Sequence, residues 1–188
     1  MLNTLIVSRR RALRLGLGAA IGSIFGPMAH AAVSAVPAVS AEPRRLSFDN
    51  LHTGERLHAA YWMDGRYDQT ACRRVDWVLR DHRAGVAAPI ATDLLDLLHA
   101  IRTRLATDAP FQIISGYRSP NTNAHLASAG SGVASNSLHM QGLAIDIRVP
   151  GCALAHLRDT AKTLKAGGVG YYPKSNFVHI DVGRVRYW

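Results

Sequence analysis

The stretch SNSLHMQGLAIDI, residues 135–147, places a histidine before a glycine turn and an aspartate inside an apolar run. From Leu143 to Ile147 every second residue is a large aliphatic one, which is the alternation of a strand with one buried face. Asp146 falls on the opposite face of that strand. A carboxylate in such a position needs a hydrogen-bond network or a cation as its partner, and His139 is the first candidate on the chain.

A second strand, FVHIDVG (177–183), carries His179 and Asp181 on one face. If the two strands are sheet neighbours, Asp146 and His179 point into one cleft, and His139 reaches it from the preceding turn. Two imidazoles and one carboxylate are a common catalytic zinc set that leaves a fourth position for water, which suits hydrolysis. Spacing alone also allows a buried His–Asp pair without a metal.

The wider pattern favours the metal. Ser137 to Asp146 fits S-x-H-x-x-G-x-A-x-D at every fixed position, and this resembles the zinc D-alanyl-D-alanine peptidase group, relatives of the lysostaphin and hedgehog zinc folds. The segments SGYRSPNTN (115–123) and GGVGYYPKSNFVHIDVGRVRYW (167–188) are similar to its YcbK-type branch, exported murein endopeptidases. The resemblance covers the chain from about Leu46 to Trp188.

The resemblance implies roles for four residues. His139, Asp146 and His179 would be the ligands of a Zn²⁺ ion. Arg118, in SGYRS, would face the cleft and either steady the oxyanion of the tetrahedral intermediate or bind a substrate carboxylate.

The same resemblance implies a substrate. The expected activity is hydrolysis of peptide crosslinks of peptidoglycan, with L,D bonds between two diaminopimelate residues favoured over D-alanyl-diaminopimelate bonds. A carboxypeptidase or dipeptidase that trims stem peptides is one alternative, and a non-catalytic murein-binding protein is the other.

The general base is the point where the chain departs from the pattern. Dipeptidase-like members carry a Glu or Asp where this chain has Asn176, and other members carry a histidine where it has Phe177. Asp181 lies two residues after His179 on the same strand face and is the nearest residue able to take a proton. It could instead orient His179 as a supporting carboxylate, and both roles stay open from the sequence.

The first 31 residues have the composition of an export signal. The basic segment SRRRALR (8–14) precedes the glycine-rich apolar segment 15–31, which ends in a small-x-small cleavage site at Ala31. The paired Arg9-Arg10 indicates the twin-arginine route to the periplasm. The glycines make an uncleaved membrane anchor the less favoured alternative, so no membrane span is expected after cleavage. Residues 32–45 are predicted to be a flexible lead-in, and residues 46–188 the zinc peptidase domain.

Net charge and cysteine content limit the possible binding partners and disulfide bonds. The net charge of +9 could suit nucleic acid, but no nucleic-acid motif is present. A solvated basic face and attraction to an anionic envelope polymer are the two interpretations that stay open. Cys72 and Cys152 could form a disulfide in an oxidising compartment or stay as two free thiols.

The order of elements predicts an α+β fold with a small central antiparallel sheet and flanking helices. A β-hairpin is expected around His52–Glu55, followed by helices over residues 69–83 and from Thr92. Residues 119–136 are predicted to be a long loop that could hold one helical turn around NTNAHLA (121–127).

Overall fold

The computed structural model describes residues 42–129 and 134–188, and the strand that carries Asp146 lies inside its sheet. The elements are β1 (Arg44–Asn50), β2 (Arg56–Met63), β3 (Arg66–Tyr67), α1 (Gln69–Val78), α2 (Thr92–Leu105), β4 (Phe111–Ser115), α3 (Pro120–Ser128), β5 (Ala144–Arg148), α4 (Leu154–Leu164), β6 (Gly168–Tyr172), β7 (Phe177–Asp181) and β8 (Arg186–Tyr187). Short 3₁₀ helices lie at Leu138–Gln141 and Pro173–Ser175.

The eight strands form one sheet in the order β3-β2-β1-β4-β5-β7-β6-β8. The α+β class is confirmed. Five strand pairings are antiparallel, and β1/β4 and β6/β8 are parallel, so the sheet is larger and more mixed than the predicted small antiparallel one. β1 and β4 can run parallel because the chain between them includes α1 and α2, enough for a crossover.

The core lies between the sheet and the helices α1, α2 and α4. The predicted apolar face of α2 (Leu94, Leu95, Leu98 and Ile101) is at most 1 % exposed. Burial of each such aliphatic side chain contributes about 1.5–3 kcal/mol to the stability of the fold. This packing holds the strands that carry the site.

Two predicted boundaries differ in the structure. α1 ends at Val78 rather than continuing to Arg83, because a turn closed by the bridge between Asp81 and Val86 follows it. The predicted loop after Ser119 contains the nine-residue helix α3. The Ser119 side chain accepts a hydrogen bond from Thr122 N, and Pro120 occupies the first turn, where a missing N–H costs nothing.

The predicted export signal, residues 1–31, lies outside the described residues, as do residues 32–41 of the predicted lead-in. β1 begins at Arg44, so Arg44 and Arg45 belong to the sheet. Within residues 42–129 and 134–188, none of the helices has the length and apolar character to cross a membrane. Cys72 and Cys152 are both free thiols.

Candidate metal centre

The site forms where β5 and β7 pair. Asp146 and His179 are direct partners in this antiparallel pair, as the alternation of the two strands predicts. His139 comes from the 3₁₀ helix just before β5, which ends at Gly142 with φ +68°. A Cβ at Gly142 would lie 2.1 Å from the Pro89 carbonyl oxygen, which explains the glycine in the sequence pattern.

Three atoms from these residues converge on one point. His139 Nε2 lies 3.3 Å from Asp146 Oδ1, and His179 Nδ1 lies 2.8 Å from the same oxygen. The two imidazole nitrogens are 3.3 Å apart. His139 and Asp146 are buried, at 3 % and 7 % exposure.

The outer nitrogen of each histidine is held by an acceptor. His139 Nδ1 donates to the carbonyl oxygen of Gly116 at 2.7 Å, and His179 Nε2 donates to Asp181 Oδ2 at 3.0 Å. A neutral imidazole that donates through one nitrogen has a lone pair on the other. Each histidine therefore directs a lone pair towards Asp146, as metal-binding histidines do when their second nitrogen is anchored.

The charges at the site depend on one another. Burial alone would raise the pKa of Asp146, but the charges and hydrogen bonds of His139 and His179 hold it well below its usual range. Burial lowers the pKa of His179, but hydrogen bonds of the protonated ring to Asp146 and Asp181 outweigh burial and raise it to about 8. A metal ion would therefore take the place of the proton on Nδ1. The aspartate is thus kept ionised, as a metal ligand must be.

These residues fit zinc. The Zn–N and Zn–O distances of tetrahedral zinc, about 2.0–2.1 Å, place ligand atoms about 3.3–3.4 Å apart. The observed separations are 2.8 and 3.3 Å. The donor set of two nitrogens and one oxygen is also one that zinc accepts in catalytic sites.

Asp181 lies on the far side of the His179 ring from this point. Its side chain is fully buried, and besides His179 it accepts hydrogen bonds from the amides of Gly168 and Gly183 and from the guanidinium of Arg186. Burial raises its pKa, but these hydrogen bonds lower it well below the usual range. Both oxygens are therefore occupied, which favours the orienting role over the role of general base.

Arg118 reaches the site from the segment after β4. Its guanidinium donates to Ser115 Oγ at 3.1 Å and lies 3.9 Å from Asp146 Oδ2. The residue is only 8 % exposed, and its Nε has no hydrogen-bond partner among the described residues. The structure thus brings Arg118 together with the three candidate ligands.

The site opens into a cleft of about 540 Å³. On one side of His179 lies an aromatic wall of Tyr172, Phe177 and Trp188, in which the Trp188 ring lies 5.4 Å from the His179 ring. Asn176 is not among the described lining residues and ends a 3₁₀ helix with φ +55°.

Sequence reasoning missed several supporting residues. Arg186 and Trp188 lie in the end block GRVRYW (183–188), yet spacing does not show that they contact Asp181 and His179. Ser115 pairs with Asp146 across β4 and β5, which alternation in β4 could have suggested. Ser137 accepts a hydrogen bond from His139 N and so belongs to the turn.

Comparison with known protein families shows which family the chain belongs to. Residues 38–188 match the model of the family Peptidase_M15_2, described as "Peptidoglycan L,D-endopeptidase MepK". The chain belongs to this family. The zinc peptidase group to which the sequence pattern pointed is therefore confirmed.

Individual relatives agree with the family. The chain is 43 % identical to peptidoglycan L,D-endopeptidase MepK of Escherichia coli (strain K12), over 96 % of this chain and 97 % of that protein. It is 37 % identical to "Probable peptidoglycan L,D-endopeptidase MepK" of Haemophilus influenzae, over 96 % and 95 %. The solved Serratia marcescens L-Ala D-Glu endopeptidase ChiX aligns with 40 % of this chain and 62 % of its own, at 19 % identity and a TM-score of 0.34, which does not establish a shared fold.

Proposed function

We propose that this protein is an exported, zinc-dependent murein endopeptidase that hydrolyses peptide crosslinks of peptidoglycan, with a preference for L,D bonds between two diaminopimelate residues. The observation that carries the proposal is the convergence of His139 Nε2, Asp146 Oδ1 and His179 Nδ1 at an open cleft. The relatives named MepK support the substrate and the bond.

The residues at the cleft have different roles. His139, Asp146 and His179 would hold zinc, which when bound supplies Lewis-acid polarisation of an amide carbonyl and activation of water. Arg118 offers a buried cation close to the same point. Such a donor stabilises the negative charge that develops on the carbonyl oxygen or binds a substrate carboxylate. Asp181 keeps His179 in the orientation that the site requires.

One observation supports a second candidate, a non-catalytic murein-binding protein. Among the described residues that line the cleft, Asp146 is the only carboxylate, and its Oδ1 already faces both histidines. A general base of the usual carboxylate type is therefore not evident there.

Export is a further part of the proposal. The basic and apolar segments of residues 1–31 favour a signal that is cleaved after Ala31 and recognised through Arg9-Arg10. A periplasmic location would place the enzyme beside its polymer. Fractionation of cells that produce Arg9→Lys/Arg10→Lys precursor tests the route, which predicts uncleaved protein in the cytoplasm.

Digestion of purified, crosslinked peptidoglycan tests the activity. We expect the zinc-loaded protein to convert crosslinked dimers into monomers, and mass analysis of the products to identify the L,D bond as the one cut. Chelation of zinc should stop the reaction, and His139→Ala should lose both metal and activity. His125→Ala, at an exposed histidine of α3, is the matched control and should keep both.

The alternatives give different products. A carboxypeptidase would release terminal residues from monomers and leave dimers intact. A non-catalytic protein would bind zinc and sediment with peptidoglycan but release nothing. Either result would refute the endopeptidase.

A further inference from the structure

Among the described residues, three arginines line the cleft: Arg118, Arg186, which pairs with Asp181, and Arg83. Arg83 lies in the turn between α1 and α2, and its side chain is exposed. The guanidinium makes no hydrogen bond or ion pair with any of residues 42–129 and 134–188. Nothing in the metal centre described above uses this cation.

One buried carboxylate fixes the backbone at both Arg83 and Arg118. Asp81, at 3 % exposure, accepts hydrogen bonds through Oδ1 from the amides of Arg83 (3.0 Å) and Ala84 (3.2 Å). Through Oδ2 it accepts from the amide and the hydroxyl of Ser119, at 2.9 and 2.7 Å. Because Ser119 directly follows Arg118, the two arginine-bearing segments are tied to each other.

Side chains hold the same turn in place. His82 stacks on His52, with ring centroids 4.1 Å apart and 10° between the planes. His52 Nε2 in turn donates to the carbonyl oxygen of Ile114 at 2.9 Å. Since β4 continues towards Arg118, this stack adds a second link between the turn and the site.

Arg83 and Arg118 lie on one wall of the cleft, and Asp81, the carboxylate behind them, is occupied by backbone amides and by Ser119. Asp146 is the only acidic residue among the described residues of the cleft lining, and it already faces two histidines. Arg118 lies 3.9 Å from Asp146 Oδ2, whereas the Arg83 guanidinium has no such partner among the described residues. An unpaired guanidinium on a cleft wall can bind an anion, and its planar shape matches a carboxylate in particular.

We propose that Arg83 binds a free carboxylate of the peptide substrate, outside the bond that is cut and beside the group that faces Arg118. The inference rests on the proposed function and names a feature of its substrate: the protein selects crosslinked peptides whose acidic residues are not amidated. Asp81 is the positioning residue of this subsite.

Equilibrium binding tests the subsite without catalysis. The probes are a stem tripeptide ending in diaminopimelate, with its carboxylates free, and its amidated analogue, titrated calorimetrically into the zinc-loaded protein. We expect Arg83→Gln to weaken binding of the free tripeptide about 10-fold or more, as for the loss of one charge-assisted hydrogen bond. Its affinity for the amidated analogue should stay unchanged.

A matched variant separates local from general effects of charge. Arg74→Gln removes another exposed arginine, one on α1 that does not line the cleft, and should leave the affinity for both peptides as in the wild type. Equal weakening of both peptides by Arg83→Gln, or none, would overturn the subsite.

A wild-type protein that binds neither tripeptide would also overturn it. Peptidoglycan digestion is scored separately, so a protein that cuts crosslinks without preferring free carboxylates disproves only the subsite.

Discussion

Whether Asp181 orients His179 or acts as the general base can be tested by asking whether excess zinc restores the activity of Asp181→Asn. Asp181 donates no atom to the point where His139, Asp146 and His179 converge, and it holds His179 through Nε2. Asp181→Asn should therefore weaken zinc binding about 10- to 100-fold, the usual effect of removing a carboxylate behind a metal-binding histidine. Activity should return when zinc is saturating. The measurement is a zinc titration with crosslink cleavage followed on the same protein.

The control for this experiment is a carboxylate outside the site. Asp159→Asn removes a carboxylate that pairs with its neighbour Arg158 on the surface of α4, and it should change neither quantity. A base would behave differently: Asp181→Asn would then bind zinc normally and stay about 100- to 10,000-fold slower at any zinc concentration.

At the scale of elements, β6, the strand beside β7, lies close to Trp188, the residue that follows β8. Gly170 pairs with His179, and a Cβ added there would lie 2.6 Å from the Trp188 ring. The Trp188 indole also donates to Tyr172 OH at 2.7 Å. Gly170→Ala should therefore lower the free energy of unfolding by about 1–3 kcal/mol, the usual effect of overpacking, as measured by denaturant titration.

A double-mutant cycle identifies the cause of that loss. In a Trp188→Ala background the space beside residue 170 is open, and an alanine in a strand is ordinarily more favourable than a glycine. The same Gly170→Ala change should then be neutral or stabilising. A penalty that persists without the indole would show that the strand itself, rather than the contact with Trp188, requires glycine.

The elements also show where sequence reasoning succeeds and where it stops. The pairing of Asp146 with His179 follows from two alternating strands, a local property that the sequence displays directly. For α3 the sequence predicted one helical turn rather than nine residues, because its short polar sequence has no apolar periodicity and its start depends on the Ser119 cap. The hydrogen bonds that Ser119 donates to Asp81 join residues 38 positions apart, and no spacing rule indicates such contacts.

At the scale of the whole molecule, Asp81 makes the free energy of unfolding depend on pH in the acidic range. Burial raises its pKa, but hydrogen bonds from Thr122, Ser119 and Ala84 outweigh burial and lower it from 3.8 to about 2. A carboxyl group whose pKa is lower in the folded than in the unfolded chain stabilises the fold above about pH 4, and this contribution is lost as the pH falls through about 2. The shift corresponds to about 2 kcal/mol.

Asp81→Asn should consequently lower the free energy of unfolding by about 2 kcal/mol at pH 7, and the difference from the wild type should shrink between pH 4 and pH 2. Denaturant titrations across this range measure both curves. Asp159→Asn, at an exposed ion pair that contributes little to stability, should follow the wild type throughout.

Because Asp81 joins the turn of Arg83 to the segment of Arg118, Asp81→Asn should also weaken binding of the free stem tripeptide at neutral pH. A variant as stable as the wild type at pH 7 would mean that an amide satisfies the same donors, and that the charge of Asp81 is not what holds the two segments together.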